Sequence, residues 1–570
     1  MGILSKYRHI GKKKGRMTQW DKETDLIVVG SGAGGMTAAL VAKKEGLDTL
    51  VLEKTEFYGG STAISVGGIW APDNHLMARE SIADSRSMAL DYLQNTVGDR
   101  TPKENQEAFV DRVSEMIRYL SGLPHIKFQI MPGYADYYPD KPGGTEGGRG
   151  INAALFAGCK LGPLLNQMRR GTMKGPFGFV FTGTEGRKLG LLKTNRLNWL
   201  IAFKAVLRNI FSKLARRKHL AVGEALIGQL RLSLHKQNVP VWLNSPVHRL
   251  IIEDDTILGV EVITKEGKKR IRASKGVVLA SGGFPHNKTL REKYQKAPVS
   301  TEWTVAAPGN TGEIIEMAME AGAAVDLMEE AWWGPTTTPP GEPVHFMVAE
   351  RSYPGGIIVN AAGHRFTNES ASFTDVVQEM YQQHTQETPH IPAYFITDSL
   401  YLSRYYLGPL TPGNIPEKLL KSGYVVKADN VDELAEKCNI DPEGLAGTVT
   451  RFNGYAQSGK DLDFNRGESA YDRFYSDPSA KPNCCLGAIE KPPFYAIRIY
   501  PGDLGTKGGL ATNEYAQVLK ENGDKISGLY AVGNTAASVM GATYPGPGCT
   551  ISPAMTFGYI AAKDAAGTLK

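Results

Sequence analysis

Short apolar runs alternate with glycine-rich breaks along much of the chain, the pattern of buried strands joined by tight turns. Residues 25–29 (Asp-Leu-Ile-Val-Val) read as a buried strand that runs into Gly30-Ser31-Gly32-Ala33-Gly34-Gly35. The alanine-rich stretch 36–45 predicts a helix, and 48–52 (Asp-Thr-Leu-Val-Leu) a second strand ending at Glu53. Strand, helix and strand in that order make a βαβ unit. Two later apolar runs, 276–280 and 528–532, have the same character and end in glycine, at Gly282-Gly283 and at Gly533.

Two stretches break this pattern. In 197–214, Leu200, Phe203, Leu207, Ile210, Phe211 and Leu214 recur at helical spacing. Lys204, Arg208 and Lys213 lie between them, and Arg216, Arg217 and Lys218 come next. The spacing predicts a basic amphipathic helix, a form suited to a membrane interface, although a domain helix with a solvated basic face has the same pattern. The second stretch, 526–562, carries no charged side chain over 37 residues. That length suits a membrane span. Pro545, Pro547 and Pro553, with Gly541, Gly546 and Gly548, would break a spanning helix, so a buried wall around a ligand is expected instead. A helix over 552–566 closes it, with its N-terminus toward that ligand.

The glycines of the first unit carry chemistry. Gly30, Gly32 and Gly35 form G-x-G-x-x-G, and Glu53 stands 23 residues after Gly30. The first glycine makes the tight turn, the second lets a pyrophosphate approach the backbone, and the third lets helix and strand pack closely. The helix N-terminus faces the phosphates, and the acid suits a ribose. Tyr58-Gly59-Gly60-Ser61-Thr62-Ala63 then offers a second small-residue stretch where backbone can approach a large ligand.

Composition narrows the class. With 570 residues, 42% hydrophobic and 22% charged, the chain is ordinary globular protein of two or three domains, not a disordered or multispan one. The net charge of +6 is unevenly placed. Residues 1–20, expected to be a flexible leader, hold six Lys/Arg and no acid, and residues 151–218 hold 14 Lys/Arg against Glu185 alone. The remainder is net acidic. Two basic patches on an acidic body point to an anionic surface, and a membrane is favoured because no nucleic-acid recognition module accompanies the charge. Five scattered cysteines suggest no disulfide framework, and no signal-peptide pattern precedes Asp21, so a cytoplasmic, peripherally membrane-associated protein is expected. The histidines form no metal-binding pattern, and no metal is expected.

The two glycine segments together resemble FAD enzymes of the fumarate reductase flavoprotein superfamily. The resemblance implies non-covalent FAD, since no histidine stands beside Ser61–Ala63 to bond it. It assigns cofactor contacts to Gly30, Gly32, Ala33, Gly34, Gly35, Glu53, Lys54, Gly59, Gly60, Ser61 and Thr62. Further contacts fall to Val247 (adenine), Ala280, Gly282, Gly283, Gly533, Asn534 and Ser552. The implied fold is α/β. A split, doubly wound, Rossmann-like FAD-binding domain (21–295 and 490–570) carries the basic amphipathic insert (151–220), and an α+β substrate domain (296–489) is inserted between its halves.

More specifically, five passages resemble the 3-ketosteroid Δ1-dehydrogenases. They are Asp136-Tyr137-Tyr138-Pro139; Val325–Met328 leading to Trp332-Trp333; Arg365-Phe366-Thr367-Asn368-Glu369; Asp503–Leu510; and Thr543-Tyr544-Pro545-Gly546-Pro547-Gly548. The implied reaction removes a proton from C2 of a 3-ketosteroid and a hydride from C1, the hydride passing to flavin N5. The C2 proton is acidic only if the C3 carbonyl is polarised, and the Tyr544 hydroxyl with the Gly548 N–H suits that role. Tyr137 matches the family's assisting tyrosine. Where the family places its basic tyrosine, this chain has Phe373, which accepts no proton. Three readings stay open: Tyr353 fills the site, Tyr137 or Tyr134 acts directly, or the reaction is 3-oxo-5α-steroid 4-dehydrogenation. Trp332, Trp333, Phe373 and Tyr544 are the expected substrate contacts. The implied partners are the steroid, a quinone or other electron acceptor, and the membrane surface through 151–220. A fumarate- or enoate-type reductase is the alternative, but 548–553 lacks the arginine that would hold a carboxylate.

Overall fold

The computed structural model describes residues 19–171 and 178–569; the expected basic leader falls almost entirely outside them. The βαβ unit forms as predicted: strand Lys22–Val29, helix Ala33–Lys44 and strand Thr49–Leu52. Lys22–Val29 is the centre of a sheet. It pairs in parallel with Thr49–Leu52 on one side and with Gly267–Leu279 on the other. Lys525–Ala531 adds in parallel beyond Gly267–Leu279, with Val277 opposite Leu529, and Val241–Trp242 adds beyond Thr49–Leu52. Leu26 and Val28 enter one core and Ile27 and Val29 another, so this part of the strand is buried on both faces and is apolar throughout.

Parallel strands end on one edge. That edge therefore collects the loops at the strands' C-terminal ends: Gly30–Gly35, Glu53, Ala280–Gly283 and Gly533-Asn534. Only a tertiary pairing more than 240 residues apart brings Gly533 beside Gly282. Gly276 has φ +143° and a Cβ there would lie 2.3 Å from the Gly528 carbonyl oxygen, so the two strands need a glycine at 276 to meet.

The uncharged stretch is a buried wall. No residue of 526–562 is exposed, and its helix covers only Ile551–Ala566. That helix crosses Ala33–Lys44 at glycines: a Cβ on Gly34 would lie 2.7 Å from the Ala554 carbonyl oxygen, and one on Gly558 2.6 Å from that of Gly34.

A second, antiparallel sheet contains Gly356–Val359, Ala393–Asp398, Phe494–Thr506 and Ala331–Thr337 in that order. Phe494–Thr506 lies beyond the expected boundary at 490 in sequence and sits inside the second sheet, its backbone paired with Ala331–Thr337 on one side and Ala393–Asp398 on the other. Behind the sheet, Arg365 bridges Glu369 and Asp461, and Arg466 bonds Glu369 and the carbonyls of Gly356, Arg351 and Tyr353, all buried. The Arg365–Glu369 passage is thus a structural lock that sets the start of helix Phe373–Gln383.

The insert contains helices Gly183–Leu189 and Asn198–Leu214. Asn198–Leu214 is fixed by its polar side. Asn209 bonds both backbone groups of Val180, and Arg208 pairs with Glu185 and donates to the Val180 carbonyl. Its apolar side faces out: Trp199, Leu200, Phe203, Phe211 and Leu214 are each 59% or more exposed. Eight of the twelve large apolar side chains exposed among the described residues fall in 197–214. No described helix is long and apolar enough to cross a membrane.

Candidate active site

The glycine loops are shaped by two different demands. A Cβ on Gly30 would meet the Ala280 carbonyl oxygen at 2.2 Å, and one on Gly35 would meet the Gly30 oxygen at 2.2 Å. Those two glycines serve the fold. Gly32 does not: its nearest neighbour would be Thr62 Oγ1 at 3.8 Å, and a Cβ on Gly60 would lie 3.7 Å from Gly32 Cα. Two side-chain-free stretches therefore face each other at the N-terminus of helix Ala33–Lys44, which has no side-chain cap. This is the cradle a pyrophosphate needs. Glu53 is oriented beside it, its carboxylate accepting from Ser31 Oγ (2.6 Å) and from the Thr55 N–H and hydroxyl (2.9 Å each). The residues present fit FAD.

Other expected cofactor residues have protein partners of their own. Ser61 Oγ accepts from the Ala307 N–H at 3.0 Å and from Asn310 Nδ2 at 2.9 Å, and Asn534 Oδ1 accepts from Trp332 Nε1 at 3.0 Å. Gly283 is small because a Cβ would lie 2.0 Å from Thr506 Oγ1, and Val247 starts a strand and is itself buried. Two side chains are committed elsewhere. Lys54 pairs with Glu313 and donates to Thr311, and Ser552 donates to the Trp70 carbonyl.

The residues expected to serve the substrate gather around Tyr544. Its ring stacks on Tyr137 at 4.9 Å, inclined by 29°, and meets Trp332 edge-on at 4.9 Å. Phe373, first residue of its helix, stands edge-on to Tyr137 at 5.6 Å and 6.4 Å from Tyr544. So Phe373 does sit in the tyrosine cluster and offers it no hydroxyl. Tyr134 joins through its hydroxyl, 3.2 Å from that of Tyr137.

Backbone contacts fix Tyr137 and Tyr544 side by side. The Tyr137 N–H donates to the Pro545 carbonyl at 2.9 Å, and Tyr92 donates its hydroxyl to the same oxygen while accepting the Tyr138 N–H. Asp136 is locked by Arg149 Nη1 (2.8 Å) and Trp70 Nε1 (2.7 Å). A Cβ on Gly546 would lie 2.4 Å from the Trp70 ring, and one on Gly548 (φ +102°) 2.3 Å from the Gly68 backbone. The Tyr-Pro-Gly-Pro-Gly passage thus owes its glycines to this scaffold. The Gly548 N–H donates to no backbone acceptor among the described residues and remains available. Buried Lys507, its amine pushed down to about 7 by burial, donates to the Thr543 carbonyl next door.

Two expected residues are not brought in. Tyr353 stacks on Tyr405 at 4.6 Å in a separate cluster, its hydroxyl turned toward Gly190 of the insert. Trp333 points to the opposite face of its strand from Trp332, donates to Glu330 and packs on Tyr381. Conversely, residues outside the sequence reading belong here. Helix Ala470–Phe474 places Tyr471 4.5 Å from the Tyr137 ring and Phe474 4.1 Å from the Tyr134 ring. Tyr475 comes directly after, its hydroxyl 2.8 Å from that of Tyr134. Their i, i+3, i+4 spacing on an amphipathic turn is the one signal in the sequence that marks them. Burial pushes the phenols of Tyr134, Tyr137 and Tyr544 well above their ordinary range.

Comparison with known proteins agrees with this geometry. Residues 25–551 match the family model described as FAD binding domain. The 3-oxosteroid 1-dehydrogenase of Mycolicibacterium smegmatis is 46% identical over 96% of this chain and 98% of its own. The crystal structure of 3-ketosteroid Δ1-dehydrogenase from Sterolibacterium denitrificans, in complex with 1,4-androstadiene-3,17-dione, superposes with a TM-score of 0.92 at 36% identity, over 96% of this chain and 100% of that one. A 3-ketosteroid Δ4-(5α)-dehydrogenase from Rhodococcus jostii shares the fold, with a TM-score of 0.67 at 21% identity over 96% of this chain and 98% of that one. The chain belongs to the 3-oxosteroid 1-dehydrogenase family of FAD-binding proteins.

Proposed function

We propose that this protein introduces the C1–C2 double bond into the A ring of 3-ketosteroids. The observation that carries the reading is the pairing of Tyr544 and Tyr137, hydroxyl-bearing rings 4.9 Å apart, with the available Gly548 N–H in the same loop. Desaturation next to a ketone needs a donor on the carbonyl oxygen and an acceptor for the proton on the neighbouring carbon. Tyr544 and Gly548 donate to the C3 oxygen and stabilise the charge that develops there as the C2–H bond breaks. Tyr137 takes the C2 proton. Trp332 and Phe373 wall the steroid ring and exclude water. FAD, held by Gly30–Gly35, Glu53 and Gly59–Thr62, supplies the hydride acceptor when bound. A phenol acts as base only if its own proton has somewhere to go, because burial opposes a phenolate at Tyr137. The alternative at C4–C5 has only a fold-level likeness behind it.

The test is anaerobic mixing of the FAD-loaded protein with 4-androstene-3,17-dione. The expected result is loss of the oxidised-flavin absorbance and a 1,4-diene product. Bleaching only with a 5α-3-ketosteroid would move the reaction to C4–C5, and no bleaching with either would sink the steroid reading.

The same proposal extends to location. The outward apolar face of Asn198–Leu214, flanked by Lys193, Arg196, Lys204, Arg216, Arg217 and Lys218, is complementary to an anionic bilayer. A cytoplasmic protein docked there would draw lipid-dissolved steroid from the membrane and pass electrons to a membrane quinone. We expect the protein to float with vesicles containing phosphatidylglycerol. The triple variant Phe203→Ser/Phe211→Ser/Leu214→Ser should lose at least tenfold in bound fraction while oxidising soluble steroid normally. Equal flotation of the variant would overturn the docking surface.

A further inference from the structure

The hydroxyls of Tyr137, Tyr134 and Tyr475 form a continuous chain. Tyr137 Oη is 3.2 Å from Tyr134 Oη, and Tyr475 donates to Tyr134 at 2.8 Å. Tyr134 and Tyr137 are each 5% exposed, whereas Tyr475 is half-buried. Of the three side chains, Tyr475 is the one with partial exposure, which makes it the solvent-side end of the chain. Its outer end lies under the basic insert: Arg187 donates to the Phe474 carbonyl at 2.7 Å and stacks on the Phe474 ring at 4.4 Å.

We propose that these three tyrosines are the exit path of the proton abstracted at C2, with Tyr475 as the group that releases it to solvent. This deepens the desaturase reading and rests on it.

The step balances. The C2–H bond breaks and its electron pair forms the enolate of the C3 ketone, held by Tyr544 and Gly548. The proton forms a new O–H bond on Tyr137. Tyr137 gives its own hydroxyl proton to Tyr134, Tyr134 gives its own to Tyr475, and Tyr475 gives its own to water. Each phenol both donates and accepts, and each hydrogen turns about its C–O bond, so the chain can run in either sense. Every oxygen ends with one hydrogen, and no phenolate is left in the core. That answers the difficulty a buried tyrosine base faces here. Phe373 cannot join the chain, and Tyr471, whose buried hydroxyl has no partner, leads nowhere. The charges at the outer end suit the role. Burial raises Tyr475 only to about 12, because its bond to Tyr134 and the cations Arg187 and Arg351 oppose that rise.

Tyr475 acts through Tyr134 and is a positioning residue. Its test must separate the hydroxyl from the ring. Tyr475→Phe keeps the edge-on packing against Tyr134 and Phe474 and removes only the path. We expect kcat for 4-androstene-3,17-dione to fall at least tenfold with KM nearly unchanged. We also expect slower incorporation of solvent deuterium at C2 of the ketone, by at least tenfold, when holoenzyme and steroid are held in D2O without an electron acceptor. Tyr134→Phe should do the same, and the double variant should be no worse than either single one, because a chain is cut only once. Wild-type exchange and turnover in Tyr475→Phe would overturn the path, as would multiplicative losses in the double variant. A wild-type protein that neither exchanges C2 nor bleaches with any 3-ketosteroid would instead remove the desaturase reading itself.

Discussion

Replacing Tyr544 by phenylalanine should lower kcat for a 3-ketosteroid by about 10²–10³-fold, the usual loss when one donor to a developing oxyanion is removed. The substitution keeps the ring, so contacts with Tyr137 at 4.9 Å and Trp332 at 4.9 Å survive. The Pro545 carbonyl still ties the loop to Tyr137 and Tyr92, so the fold should hold. KM should change little, because the lost bond strengthens only as the C3 oxygen gains charge. Single-turnover flavin bleaching with saturating steroid reads this directly. A variant that bleaches at the wild-type rate would show that another group polarises the carbonyl.

The second large effect is on cofactor retention. Gly32→Val should yield a folded protein that purifies without FAD. Among the described residues, apart from its chain neighbours, nothing lies nearer than 3.8 Å to a Cβ at Gly32, and its backbone is in the extended region, so the fold tolerates the side chain. The side chain fills the gap facing Gly60 that the pyrophosphate requires. Gly35→Ala is the opposite case. Its Cβ meets the Gly30 carbonyl oxygen at 2.2 Å, so it should destabilise the fold by about 1–3 kcal/mol as overpacking does. Circular dichroism and the flavin absorbance of the purified variants separate the two. FAD retained at wild-type stoichiometry by Gly32→Val would place the pyrophosphate elsewhere.

The contrast between Gly32 and Gly35 shows what packing adds to a motif. The fingerprint already assigns close packing to Gly35 and ligand approach to Gly32, and the packed helix supplies the distances that separate them, 2.2 Å and 3.8 Å. Phe373 is a second instance. The sequence alone shows that a phenylalanine stands where a base is expected, with Tyr353 among the substitutes. The antiparallel sheet and the lock around Arg365 and Arg466 place Phe373 against Tyr137 and turn Tyr353 away toward the insert.

What the chain's own order determined is local. The βαβ unit, the glycine loops, the amphipathic helix Asn198–Leu214 and the buried uncharged wall are each dictated by periodicity or composition within one window, because their causes act over a few residues. What only the tertiary structure decided is long-range. Phe494–Thr506 joined the second sheet because its partners lie as far back as Ala331. Asn198–Leu214 turned its apolar side outward because Asn209 and Arg208 found partners at Val180 and Glu185. Tyr475 reached Tyr134 across 341 residues. No sequence window contains both ends of such a contact, and a tyrosine reads the same in a core, a cluster or a proton path until its neighbours are in place.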